Sequence, residues 1–136
     1  VDVETGAIQL DSYVTVADVG KAINPQQAEG QDEGAAVQGL GNTLFESLEY
    51  DNGQPLNANL VDYRVPRFND LPEYFASALI ENQDGPGPYG AKGMGESGVV
   101  CVAPALGNAL FRATGVRIHD LPLTPERVWR ALKRGK

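Results

Sequence analysis

The sequence predicts an α+β fold, a small mixed sheet with helices packed on it, and three segments carry that expectation. Residues 7–17 form a run rich in β-branched and aromatic side chains (Ile8, Tyr13, Val14, Thr15, Val16), which reads as a strand. Residues 27–48 and 104–114 repeat apolar side chains at helical spacing. With 136 residues, 42% of them apolar, one domain spanning 1–136 has enough material for a core.

Taken in order, residues 1–3 read as a first strand and Glu4-Thr5-Gly6 as a turn into the strand at 7–17. Residues 18–25 read as a loop, because Asn24-Pro25 is a strong turn signal. In the helix at 27–48, Val37, Leu40, Leu44 and Leu48 fall on one stripe at about 100° per residue. Gln31, Gly34, Ala35 and Gln38 share another face, small and amide-bearing. That face suits helix–helix packing with two solvated glutamines, or an amide meeting a ligand with many polar groups.

Tyr50-Asp-Asn-Gly53 signals a hairpin. Residues 60–65 fit a strand or a short helix, residues 66–72 are irregular, and 73–81 are ambiguous by periodicity. In the helix at 104–114, Pro104 suits the first turn, Leu106, Leu110 and Ala113 share one side, and the end falls near Gly115. Residues 116–118 read as a short strand. Thr124 caps a last helix with Pro125 at its first position, and Leu123 staples onto Val128. Cys101 reads as a small buried hydrophobe, and His119 beside Asp120 as a surface pair.

A net charge of −7 argues against nucleic acid and against an anionic membrane surface. No apolar run approaches the roughly 18 residues that a bilayer span needs. A single cysteine excludes an internal disulfide and a cysteine-ligated iron–sulfur cluster. A cytoplasmic setting follows as the expectation, with a periplasmic one left open. The start on Val1 rather than methionine, where a strand already runs, suggests a piece of a longer polypeptide.

The stretch with the most specified shape is Gly85-Pro-Gly-Pro-Tyr-Gly-Ala-Lys-Gly-Met-Gly-Glu96-Ser-Gly98, with six glycines and one carboxylate at its end. It contains G-x-G-x-x-G, but prolines fill variable positions and no helix follows at once. No acid stands about 20 residues on, so a dinucleotide site is excluded. A phosphate loop is excluded too, because Ala91 separates Gly90 from Lys92 and Gly93 replaces the hydroxyl residue. No metal-ligand spacing and no serine–histidine arrangement is present. Glu96 reads either as a carboxylate favouring the dipole of the next helix or as a catalytic acid or base. Lys92 reads as a surface charge or a ligand contact.

This loop resembles the G-A-K-G-x-G-E active-site loop of the molybdenum hydroxylases, the xanthine oxidase and aldehyde oxidase family. A second block, Asp18-Val-Gly-Lys-Ala-Ile-Asn-Pro25 followed by Glu29-Gly-Gln31-Asp-Glu-Gly34-Ala-Ala-Val-Gln38-Gly-Leu-Gly41, resembles that family's D-x-G-x-x-I/L-N-P and G-Q-x-x-G-x-x-x-Q-G-x-G segment. The ending Leu121-Pro-Leu-Thr-Pro-Glu-Arg-Val-Trp129 is similar to its C-terminal helix. The resemblance covers nearly the whole chain and implies the C-terminal, molybdopterin-binding segment of a large subunit. It tilts residues 73–81 towards a strand.

The resemblance also implies roles. Glu96 would be the catalytic base beside the molybdenum, Gln31 would contact the pterin, and Lys92, Gly93, Met94 and Gly95 would line the molybdopterin-type cofactor. Gln38 would be a packing residue. No residue of this chain would ligate the metal. Iron–sulfur clusters and FAD would sit on other domains or subunits, which with the remaining large-subunit segments would be the partners. The substrate would be a small molecule, an aldehyde or N-heterocycle; purines and carbon monoxide also occur in the superfamily, the latter with no special match here. The chain alone is expected to be inactive. The alternative is a non-catalytic orphan domain used for assembly or protein contact.

Overall fold

The computed structural model describes residues 1–135. Strand β1 (Ser12–Gly20) and strand β4 (Tyr74–Glu81) pair in parallel, with Ser12 opposite Tyr74 and Ala17 opposite Leu79. A parallel pair needs a long crossover. Here it contains helix α1 (Pro25–Leu44) and a small antiparallel hairpin, β2 (Tyr50–Asp51) and β3 (Gln54–Pro55). Parallel and antiparallel pairings both occur, in two separate ladders. After β4 come the glycine loop, the short helix α2 (Ser97–Val100), helix α3 (Val102–Thr114) and helix α4 (Pro125–Arg134).

The core lies where α1, α3 and α4 meet one face of the parallel pair. Tyr13 from β1, Leu40 and Leu44 from α1, Val102, Leu106 and Leu110 from α3, and Val128 from α4 form one buried cluster. Tyr13 also stacks on Phe75 across the strands. Leu40 is 1% exposed, and truncating such a side chain to alanine costs about 2–5 kcal/mol. The predicted staple is present: Thr124 Oγ1 accepts the Arg127 N–H at 3.3 Å, Pro125 opens the helix, and Leu123 and Val128 are buried together. The Leu123 N–H also donates to Thr43 O at 2.6 Å, which fastens α4 to the end of α1.

Several boundaries differ from the sequence reading, each for a local reason. Residues 1–3 form no strand, and β1 starts at Ser12, because its partner begins only at Tyr74, after Pro72. Residues 18–20, expected as loop, continue the strand because Asp18 pairs with Ile80. The Asn-Pro signal opens the helix rather than preceding it: Asn24 Oδ1 accepts the Gln27 N–H at 3.2 Å and Pro25 takes the first position. At the other end, Phe45 and Glu46 both donate to Gly41 O, which ends α1 four residues before Leu48 and leaves Leu48 exposed. Residues 60–65 are turns, and 116–118 form no strand. Cys101 is exposed, because it sits at the kink where α2 gives way to α3. His119 and Asp120 are exposed, as expected.

Candidate functional site

The glycine loop has a defined shape fixed by its own backbone. Gly85 N–H and Gly87 N–H donate to Gly90 O and Ala91 O, each at 3.0 Å, and a 3-10 turn spans Pro88–Gly90. The folded loop is then stitched to the end of β1: Lys21 N–H donates to Gly90 O at 3.1 Å and Lys92 N–H to Val19 O at 3.0 Å. This closeness requires glycine at position 20. Its φ is +61°, and an added Cβ would stand 2.0 Å from Gly90 O. So the glycines in the first half of the loop serve packing of chain on chain. Gly93 and Gly95 differ, since a Cβ at either would meet nothing within 4 Å. They face open space.

Side chains brace the same joint. Lys92 Nζ lies 2.8 Å from Asp18 Oδ2, and Asn82 Nδ2 donates to both Asp18 oxygens at 3.0 Å. The hydrogen bond from Lys92, then the Gly20 N–H, hold the Asp18 carboxyl below its ordinary pKa. On the other side of the strand end, Lys21 Nζ lies 2.7 Å from Glu81 Oε2 and likewise lowers that carboxyl. The ammonium of Lys92 is therefore committed to Asp18.

Beyond Lys92 the chain passes Gly93, Met94 and Gly95 to Glu96, which precedes the first residue of α2. The Glu96 carboxylate is exposed and forms no cap bond to its own helix. Gly98 packs directly on α1: a Cβ there would come 2.9 Å from Asp32 Oδ1 and 3.1 Å from the Ala35 Cβ. Further along, Gly39 receives Val102 in the same way. The two helical segments thus advance together along one seam. Gln31, exposed on α1, is one residue from that seam, and Glu96 is two residues from it. Gln31 and Glu96 thus flank, along the chain, the contact of Gly98 with Asp32 and Ala35, and Gly30, Gly34, Gly93 and Gly95 open onto unfilled space. Gln38, also exposed, lies farther along α1.

Sequence reasoning missed two acids here. Asp18 opens a family-like motif in a stretch that reads as loop, with no role of its own; its partner Lys92 is distant in the chain, and only the topology brings them together. Asp32 is 2% exposed, with Oδ2 accepting from Ser77 Oγ at 2.8 Å. The signal for it was present: stepping back by fours from Leu40 reaches Ala36 and then Asp32, on the buried stripe. Behind this seam the Tyr13 hydroxyl lies 3.8 Å from Cys101 Sγ, and burial first, then that contact, raises the Tyr13 pKa.

None of the predicted residues lines a groove of about 930 Å³ bordered by Leu10, Phe45, Arg64, Phe68, Phe75 and Leu123. Among the described residues there is no group of three or more His, Cys, Asp or Glu that could hold a metal ion. No helix among them is long and apolar enough to cross a membrane.

Residues 1–72 match the family described as the molybdopterin cofactor-binding domain. The chain belongs to that family. Its curated relatives include a probable hypoxanthine oxidase of Escherichia coli, 36% identical over 98% of this chain and 14% of that protein. A putative xanthine dehydrogenase molybdenum-binding subunit of the same organism is 40% identical over 95% of this chain and 17% of that protein. Among solved structures, the aldehyde oxidoreductase of Desulfovibrio gigas superposes with a TM-score of 0.87 at 36% identity, over 98% of this chain and 14% of that one. This molybdopterin-binding chain therefore spans about one-seventh to one-sixth of the length of the curated relatives just described.

The residues present fit a molybdopterin-type group. Such a ligand offers many polar atoms, and the seam presents a side-chain amide, an unpaired carboxylate and two glycines with nothing over their Cα atoms.

Proposed function

We propose that residues 1–136 form a segment of a molybdenum hydroxylase large subunit and contribute one wall of its active site, with Glu96 as the catalytic base. The observation that carries this reading is the placement of Glu96. It stands between a loop stitched to β1 and a helix seated on α1, so its backbone is held from both sides while its carboxylate stays open. A positioned base with its proton-accepting oxygens unengaged is what general-base chemistry requires. When bound, the molybdenum cofactor supplies the two-electron redox chemistry.

In this reading the amide of Gln31 donates and accepts hydrogen bonds at the pterin, while Gly93, Met94 and Gly95 line the cofactor through their backbone. Lys92 keeps its ammonium on Asp18 and acts as the strut that holds the loop, leaving Glu96 without a cation partner. Substrate is an aldehyde or an N-heterocycle, in keeping with the names of the relatives. Iron–sulfur and flavin subunits take the electrons, and the remaining large-subunit segments close the other sides of the site. A cytoplasmic setting belongs to the same proposal.

Replacing Glu96 by glutamine in the assembled enzyme keeps the shape and removes the proton acceptor. Molybdenum content should stay at the wild-type level while kcat falls by about 10²–10⁴-fold. Turnover within a few-fold of wild type would leave Glu96 as a helix-entrance carboxylate only, as the orphan-domain reading requires.

A further inference from the structure

Asp32 has an oxygen with nothing to accept. Its Oδ2 is held by Ser77 on β4, which fixes the side chain, while Oδ1 is buried and has no hydrogen-bond partner. That bare oxygen points at Gly98, where a Cβ would stand only 2.9 Å away. The Cα of Gly98 faces it, and unpaired amides lie close by in the chain. Ser97 and Gly98 form the first turn of α2, whose amides lie ahead of any helical acceptor, and the first N–H of that stretch to find a partner is Val99, on Glu96 O. A buried acceptor without a donor is retained at a cost to stability, and replacing it by an apolar residue of similar volume is often neutral or stabilising. Its presence at this seam calls for a use.

We propose that Asp32 is a positioning residue: in the assembled enzyme its free Oδ1 receives the first-turn amides of α2 and so fixes the backbone from which Glu96 projects. The arrangement has α1 act as an external cap for α2. Ser77 supplies the second anchor, tying the direction of that cap to the parallel strands. Gly98 is the residue that permits it, because any side chain there would hold the two helices apart. The catalytic consequence rests on Glu96 being the base; the seating of α2 does not.

The test compares Asp32→Leu, which keeps the branched shape and removes both acceptors, with Asp32→Asn, which keeps an acceptor. Both are made in the assembled enzyme and read by amide hydrogen exchange over residues 95–99, molybdenum and pterin content, thermal unfolding and kinetics. Asp32→Leu should speed exchange at Ser97 and Gly98 by about tenfold or more. It should lower kcat by about tenfold or more with KM and cofactor content little changed, since small misplacement of a reacting group costs rate rather than binding. Its thermal midpoint should be unchanged or higher, an outcome that separates positioning from simple support. Asp32→Asn should restore both exchange and kcat to within about threefold of wild type. Wild-type exchange in Asp32→Leu overturns the proposal, and so does an Asp32→Asn enzyme that behaves like Asp32→Leu. Should Asp32→Leu fail to assemble, Gly98→Ala is read instead, and unchanged protection of the same amides is equally fatal. If exchange responds but Glu96→Gln is silent, the base assignment fails and the seating of α2 stands.

Discussion

Gln31 and Glu96 lie near the same seam, and the roles proposed for them differ in a way that substitution should separate. Gln31→Ala leaves polar groups of the cofactor without partners, a loss of roughly 1–3 kcal/mol for each buried partner. The expected result is faster loss of molybdenum on dilution of the assembled enzyme, with kcat per bound molybdenum preserved; unchanged occupancy removes Gln31 from the site. Glu96→Gln should show the opposite pattern. Its limiting-rate pH profile should also lose the acidic limb, because that limb reports ionisation of the base. The sequence singles out both residues because each is embedded in a motif of specified spacing. Asp32 was legible only by carrying the buried stripe of α1 back past its last leucine. The partner of Lys92 was not legible at all, because the Asp18–Lys92 contact is chosen by the pairing of β1 with β4.

At the scale of elements, the end of β1 is the joint on which the glycine loop hangs, and its bracing carboxylates make it sensitive to acid. Lys92 and the Gly20 N–H lower the Asp18 pKa in the folded state, as Lys21 and the Ala22 N–H do for Glu81. A lowered folded pKa contributes stability that is fully present above the unfolded value and is lost as pH falls through the folded one. The window therefore opens near pH 4, where unfolded carboxyls titrate, and extends below it. Amide hydrogen exchange over residues 85–95, corrected for its intrinsic pH dependence, should accelerate across that window, and Lys92→Met should bring the same acceleration already at neutral pH. Corrected exchange that is flat with pH in both proteins would show that the pair braces nothing. The helices were readable to about a turn because capping and periodicity are local: Thr124 and Gly115 mark ends that the sequence names, whereas Asn24, which reads as a turn, caps α1. Their errors arose where non-local geometry decides, as where Gly41 takes two donors and ends α1 early. The strand at 7–17 began late for the same kind of reason, since a strand exists only where its neighbour runs beside it.

Across the whole molecule, the parallel pair has one covered face and one bare one. Tyr13, Thr15 and Val19 turn inward, while Val14, Val16, Tyr74 and Ile80 are each more than half exposed on the opposite side. Parallel strands are ordinarily covered on both faces, and two strands alone are a marginal sheet. The chain spans 14–17% of the relatives described above, and the bare face is where we expect the remaining large-subunit segments to pack. Under the proposed function, a chain that offers one wall of a site closed from several sides should hold no molybdenum when purified alone. Stoichiometric metal in the lone chain would make it a self-sufficient binding module. Val16→Lys tests the face itself. On an open surface the added ammonium stays in water, so the lone chain should keep its circular dichroism and become more soluble as an apolar patch is broken. In the full subunit the same charge would be buried without a partner, at a penalty of several kcal/mol. Recovery of assembled, molybdenum-loaded enzyme should then fall by about a hundredfold or more, with Thr5→Lys, on the exposed turn ahead of β1, as the charge-matched control. Normal assembly of Val16→Lys would mean that this face stays open to solvent and that the rest of the subunit docks elsewhere, with the groove beside Phe45 and Phe68 as the next surface to substitute.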